Sequence, residues 1–176
     1  MPRQQRNDEM RDFMDGVFQR AIGYALIAEW QESGAYGGAF NSGSWVTRVL
    51  NTVAFDTIGV VLAGNAFTLP RGVYEIDGHA PAWNVNRHMI RLYDVTNGVV
   101  ALWGTSEVSS AVQSNIVPSQ TRSFVRGRVY VSAPTAYRIE HRCQTSVATW
   151  GLGLGSGWAF AVDHETFTEV MIHHVG

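Results

Sequence analysis

From Trp45 to His174 the chain reads as short β-branched and aromatic runs with period-two alternation, each cut from the next by turn residues. Side chains two apart share a face only in an extended chain, so this stretch is constrained to antiparallel strands that bury one face. The runs predict strands at Trp45–Leu50, Thr57–Leu62, Ala66–Leu69, Gly72–Asp77, His88–Val95, Val99–Thr105, Arg122–Ser132, Thr135–Thr145, Thr149–Leu154 and Thr166–His174. Pro70-Arg71-Gly72, Thr96-Asn97-Gly98 and Ala133-Pro134 supply turns between them. Many short strands separated in this way make an all-β antiparallel sandwich.

Two strands show the facing well. Phe124, Arg126, Arg128 and Tyr130 share one side, with Val125, Val129 and Val131 on the other; Arg138, Glu140 and Arg142 oppose Tyr137, Ile139, His141 and Cys143. An apolar inner face and a guanidinium–carboxylate outer face follow. The outer charges read as solvated cross-strand ion pairs, or as an Arg patch that takes a ligand.

The N-terminal segment has a different period. Met10, Phe13, Met14, Val17, Phe18, Ala21, Ile22, Ala25 and Leu26 recur at three- and four-residue steps, with Asn7 as N-cap and acids in the first turn. This predicts an amphipathic helix over about Asp8 to Glu29, packed on its own domain or docked on another protein or on copies of itself. Met10, Phe13, Met14, Val17, Phe18 and Ile22 are its candidate attachment residues. Ser33 to Gly43 then carries four glycines in eleven residues, which reads as a linker. The expected organisation is a helix over 1–32, a linker over 33–44 and a sandwich over 45–176.

Composition excludes several functions. The thirteen basic residues are all Arg, so lysine Schiff-base and phosphate-loop chemistry are ruled out. A net charge of −2 argues against general nucleic-acid binding. Cys143 is the one cysteine, so neither an intrachain disulfide nor a multi-cysteine zinc site can form. The opening residues lack an apolar signal core, no Asn-x-Ser/Thr sequon occurs, and no apolar run is long enough for a membrane helix. No membrane insertion is expected.

Catalytic motifs are missing too. His-Glu-x-x-His, Gly-x-Ser-x-Gly and the phosphate loop do not occur, and Gly151 to Gly157 fits no dinucleotide fingerprint, reading instead as strand and loop. His173 and His174 are neighbours in a strand and point to opposite faces, so they cannot share an ion. Asp163-His164-Glu165 reads as a turn. We expect no enzyme, no cofactor and no metal site. Exposed indoles stack on sugars or partner proteins, which makes Trp83, Trp103 and Trp158 candidate surface-binding residues, against closure of a core or interface.

Arg48-Val49-Leu50-Asn51-Thr52-Val53-Ala54-Phe55-Asp56 and Asn65-Ala66-Phe67-Thr68-Leu69-Pro70-Arg71-Gly72-Val73-Tyr74 carry a resemblance. They resemble the first strand and the Phe-Thr-x-Pro-x-Gly-Val-Tyr signature of the jelly-roll family of tumour necrosis factor and the complement globular heads. Further phrases at His79–His88, Arg91–Gly98, Gly104–Glu107, Arg122–Arg128 and Glu140–Thr145 resemble versions of that domain in phage and prophage tail-fibre, receptor-binding and minor virion proteins. The resemblance implies a jelly-roll homotrimer on the outside of a particle, assembled in the host cytoplasm. It would be fastened to other virion proteins by the N-terminal helix and would bind a host-surface glycan or protein. A capsid decoration or cement trimer is the alternative, and a secreted ligand of the tumour-necrosis-factor type a more distant one. Tyr74, Tyr130, Phe167 and Met171 are the candidate trimer-interface residues. The family's calcium sites have no acidic counterpart here, so no metal ligands carry over.

Overall fold

Burial alternates along the long strands, and that alternation builds two antiparallel sheets packed face to face. The computed structural model describes residues 23–110, 118–156, 160 and 162–176. Its strands are β1 (Gly23–Glu32), β2 (Val46–Thr47), β3 (Thr52–Asp56), β4 (Val61–Ala63), β5 (Ala66–Leu69), β6 (Gly72–Trp83), β7 (Asn86–Asp94), β8 (Val99–Ser109), β9 (Gln120–Val131), β10 (Thr135–Cys143) and β11 (His164–His174). One sheet has the order β3-β1-β11-β6-β9 and the other β4-β5-β10-β7-β8, with β2 paired to β10.

The long strands pair in a nested series: β1 with β11, β5 with β10, β6 with β9, and β7 with β8. Gly23 pairs with His174 and Glu32 with His164. The sandwich therefore has two poles. One holds the start of β1, the end of β11 and the tight turns after β5, β7 and β9. The other holds residues 33–45 and the connections after β6, β8 and β10. Between the sheets lie Ile27, Phe67, Leu69, Ile76, Ile90, Leu92, Ile139 and Ile172, each at most 2% exposed. Each contributes roughly 1.5–3 kcal/mol by leaving water.

Five expectations are corrected. Residues 23–29, expected to end the helix, form strand β1, with Ala25 and Ile27 inward and Tyr24 and Leu26 outward. The continuous apolar run from Tyr24 to Ala28 fits a helix and a strand covered on both faces alike, and pairing with both β11 and β3 decides for the strand. Residues 8–22 of that helix, with Met10, Phe13, Met14, Val17, Phe18 and Ile22, lie outside the described residues.

The glycine-rich segment is a connection within the sandwich rather than a spacer ahead of it. Phe40 is fully buried and its N–H and C=O both bond Val147, while Gly37 N–H donates to Gly153 O.

Of Thr57–Leu62 only Val61 and Leu62 are strand, in β4: the Asp56 carboxylate accepts from the N–H groups of Ile58, Gly59 and Val60, at 2.7, 3.1 and 2.9 Å, and curls the chain before them. Thr149–Leu154 is also a loop, because Gly155 lies so close to the 33–43 segment that a Cβ there would sit 2.0 Å from Ala35 O. His164 and Glu165, expected in a turn, open β11 instead.

Candidate binding surfaces

The outer face of the six-stranded sheet carries a guanidinium–aromatic ladder. Glu140 on β10 accepts from Arg91 Nε at 2.6 Å and from Arg138 Nε at 2.9 Å. The Arg91 guanidinium then lies 4.1 Å from the Trp45 ring centroid, 5.0 Å from Tyr93 and 5.7 Å from Trp103. Each such contact is worth about 0.5–2 kcal/mol, depending on how dry the site is. The ladder holds Trp103 in place with its ring 59% exposed. The sequence offered Trp103 as a surface candidate for its place near a strand end; Trp45 joins it here, its ring centroid 5.9 Å away.

Beyond the ladder the same face opens into a groove of about 440 Å³. Arg87, Met89, Ser106, Glu107, Val108, Arg142 and Gln144 line it, together with the buried His88 and Cys143. Burial pushes the Cys143 thiol up to about 11, so it stays protonated and is a poor nucleophile.

Under this face is a polar network that sequence reasoning did not find. Arg48 is fully buried. Its Nη2 lies 2.9 Å from Glu29 Oε2, its Nε donates to Thr168 Oγ1 at 2.8 Å and its Nη1 to Leu152 O at 2.8 Å. Thr168 Oγ1 in turn donates to Glu29 Oε2 at 2.8 Å. Next to it, His88 Nδ1 is 2.9 Å from His141 Nε2, and His88 Nε2 is 2.8 Å from Thr121 Oγ1. His141 Nδ1 has no partner. A buried unpaired N–H costs more than a bare ring nitrogen, so the pattern favours protons on both Nε2 atoms. The network joins β1, β9 and β11 of one sheet to β7 and β10 of the other. Glu29, Arg48, His141 and Thr168 are fully buried, while Thr121 at its edge is half-buried.

The outer face of the five-stranded sheet is built differently. Register aligns Leu26, Met171, Asp77 and Arg126 in one row across it, and Tyr24, His173, Glu75 and Arg128 in the next. The β3–β1–β11 half is apolar and aromatic: Phe55 is 53% exposed and packs on Tyr24 at 5.8 Å, and Tyr24 packs on His173 at 5.0 Å. The β6–β9 half pairs its own charges. Arg126 bonds Asp77 at 2.9 Å, Arg128 bonds Glu75, and His79 bonds Glu169 at 3.1 Å. Tyr130 stands at the end of that half, 76% exposed.

The structure separates the four candidate interface residues. Tyr130 and Met171 belong to this outer face. Tyr74 and Phe167 are inside, at 1% and 2% exposure, so they cannot touch another subunit. Tyr74 lies on the inward side of β6, where its hydroxyl donates to Pro70 O at 3.0 Å. Trp83 is half-buried at the end of β6, where its N–H donates to Gly151 O, and Trp158 lies outside the described residues. Arg126, Arg128 and Arg138 are ion-paired, as the plainer reading of the outer charges expected. Among the described residues no cluster of three or more His, Cys, Asp or Glu could hold a metal ion. No family model matches this chain, and no curated protein is significantly similar to it.

Proposed function

We propose that the chain is a non-enzymatic, homotrimeric jelly-roll head of the tumour-necrosis-factor type, carried on the outside of a phage particle and used to engage the host surface. The nested pairing of β1 with β11, β5 with β10, β6 with β9 and β7 with β8 supports the jelly roll, since that fold is a long antiparallel hairpin wrapped into two Greek keys.

The observation that carries the reading is the outer face of the five-stranded sheet. A cyclic trimer uses two different patches per subunit that meet in a ring. This face offers an apolar half, with Phe55, Leu26 and Met171, beside a half whose acids and arginines already neutralise one another. Burying paired charges avoids the large desolvation cost of a lone ion. The poles support the same arrangement. Attachment through residues before Gly23 occupies the pole where β11 ends, and the opposite pole presents Tyr36, Trp150 and Phe160, exposed by 41%, 39% and 74%.

Light scattering of the full chain tests the oligomer, with a mass of three subunits of 19.4 kDa expected at micromolar concentration. A monodisperse monomer overturns the reading. Antibody labelling of particles that package the chain tests the location. Label on tail fibres or spikes is expected, and label spread evenly over the capsid replaces host engagement with head stabilisation.

A further inference from the structure

Resting on the reading of this chain as a surface-recognition head, we infer that the groove on the outer face of the six-stranded sheet binds an acidic saccharide. Arg87 and Arg142 hold its carboxylate, and Met89, Val108 and Trp103 take the sugar rings.

The argument begins with what the other arginines do. Arg91 and Arg138 share Glu140, Arg126 has Asp77, Arg128 has Glu75 and Arg48 has Glu29. Among the described residues Arg71, Arg87, Arg122 and Arg142 have no such partner, and of these Arg87 and Arg142 lie together in the groove. Both are exposed, and among the described residues no carboxylate lies within ion-pair distance of either. The one side-chain hydrogen bond either makes is a long one, from Arg142 Nη2 to Gly43 O at 3.3 Å.

The two are also neighbours. Arg142 pairs with Met89 across β10 and β7, and Gln144 N–H donates to Arg87 O, so the arginines stand diagonally on one face of adjacent strands. Like charges so placed repel unless an anion lies between them. Two forked guanidiniums fit a planar carboxylate, which accepts paired N–H bonds.

The remaining walls select the rest of the ligand. Met89 and Val108 give an apolar surface, and Ser106 and Gln144 add hydroxyl and amide groups. Glu107, the one carboxylate of the lining, stands opposite the inward His88 in the β7–β8 register and accepts from Thr105 Oγ1 at 2.9 Å. Trp103 pairs with Arg91 one rung beyond the Met89–Ser106 pair, so its exposed indole lies past the end of the groove, where it borders a second hollow with Phe124 and Arg126. A pyranose has an apolar C–H face for such a surface and hydroxyls for such a rim. The groove volume of about 440 Å³ suits a short oligosaccharide. A nucleic acid would need a longer track of free cations than two.

Calorimetric titration of the full chain with trigalacturonate, disialic acid, maltotriose and a short Glu-rich peptide tests the inference. At least one acidic saccharide is expected to bind with Kd below about 1 mM, and maltotriose at least about tenfold more weakly. The double variant Arg87→Gln/Arg142→Gln is expected to lose at least about tenfold, as charge-assisted bonds of this kind do. Trp103→Ala is expected to lose about three- to tenfold. Arg142→Lys keeps the charge without the fork, so it falls between wild type and the double variant. Unchanged melting temperature and oligomer mass show that the variants fold. Arginine variants that bind like wild type, no binding of either acidic sugar, equal binding of maltotriose, or binding of the peptide alone would each overturn the inference. A trimer that binds no acidic sugar overturns only the ligand assignment; a monomer that binds one overturns only the head.

Discussion

His88 and His141, from neighbouring strands β7 and β10, share a 2.9 Å ring-to-ring contact inside the sandwich, beside the buried Arg48 guanidinium. Both imidazoles are held neutral. Burial is the larger cause and the Arg48 charge the second; together they push His88 down to about 4 and His141 well below its ordinary value. A histidine with a depressed folded-state pKa contributes stability that is present above about pH 6.5 and lost as the pH falls toward the folded value. The melting temperature should therefore be level above pH 6.5 and fall between about 6.5 and 4. His88 alone accounts for a loss on the order of 2–3 kcal/mol. His88→Asn should cut the slope in that window by about half, leaving the share due to His141, as followed by scanning fluorimetry from pH 3.5 to 8. An unchanged slope would show that the pair does not control acid sensitivity.

Arg48 and Glu29 should behave as a unit. Arg48→Met or Glu29→Leu alone strands a charge in the interior and should cost about 3–5 kcal/mol in urea denaturation. The double variant should cost clearly less than the sum of the two, since it leaves no orphaned ion.

Gly155 and Gly43 predict opposite kinds of cost. Gly155→Ala drives a Cβ to within 2.0 Å of Ala35 O and should destabilise by about 3 kcal/mol. Gly43→Ala has no atom within 4 Å of its new Cβ and a φ of +94°, so backbone strain alone limits its cost to about 1–2 kcal/mol. Thermal melts of both variants, compared directly, give the order.

Tyr130 and Tyr74 separate interface from interior. Tyr130→Glu should yield a folded monomer with unchanged far-ultraviolet circular dichroism, because the side chain is already 76% exposed. Tyr74→Glu should prevent folding, because that side chain is 1% exposed. A folded, trimeric Tyr130→Glu would move the subunit contact elsewhere.

Truncation marks where the sandwich begins. Removing residues 1–22 should leave cooperative unfolding intact. Removing residues 1–32 takes away β1, opens the edges of β3 and β11, and should abolish it, as followed by circular dichroism during heating.

The sandwich was legible because one face of each long strand is buried. In β9 and β10 the predicted sides hold residue by residue, with Val125, Val129, Val131, Tyr137, Ile139, His141 and Cys143 inward. What was not legible depends on register or on loop contacts. Glu29 sat in a segment that satisfied two periods. The Gly64-Asn65 hairpin turn, with φ of 58° and 63°, passed without notice between β4 and β5. The meeting of His88 with His141 needed the β7–β10 pairing, which alternation cannot supply. Its one visible sign was that each histidine sits at an inward position of its strand. For Trp103 exposure was foreseeable, but the stack with Arg91 and Trp45 was not, since its two partners come from separate stretches of chain.

The pairing of Gly23 with His174 has a consequence for how such a molecule can change over generations. With the start of β1 and the end of β11 at one pole, a segment joined ahead of Gly23 can be exchanged while the sheets and the far loops keep their pairing. The far loops, in their turn, can drift without disturbing that junction. On the reading proposed above, attachment and recognition are then free to change separately.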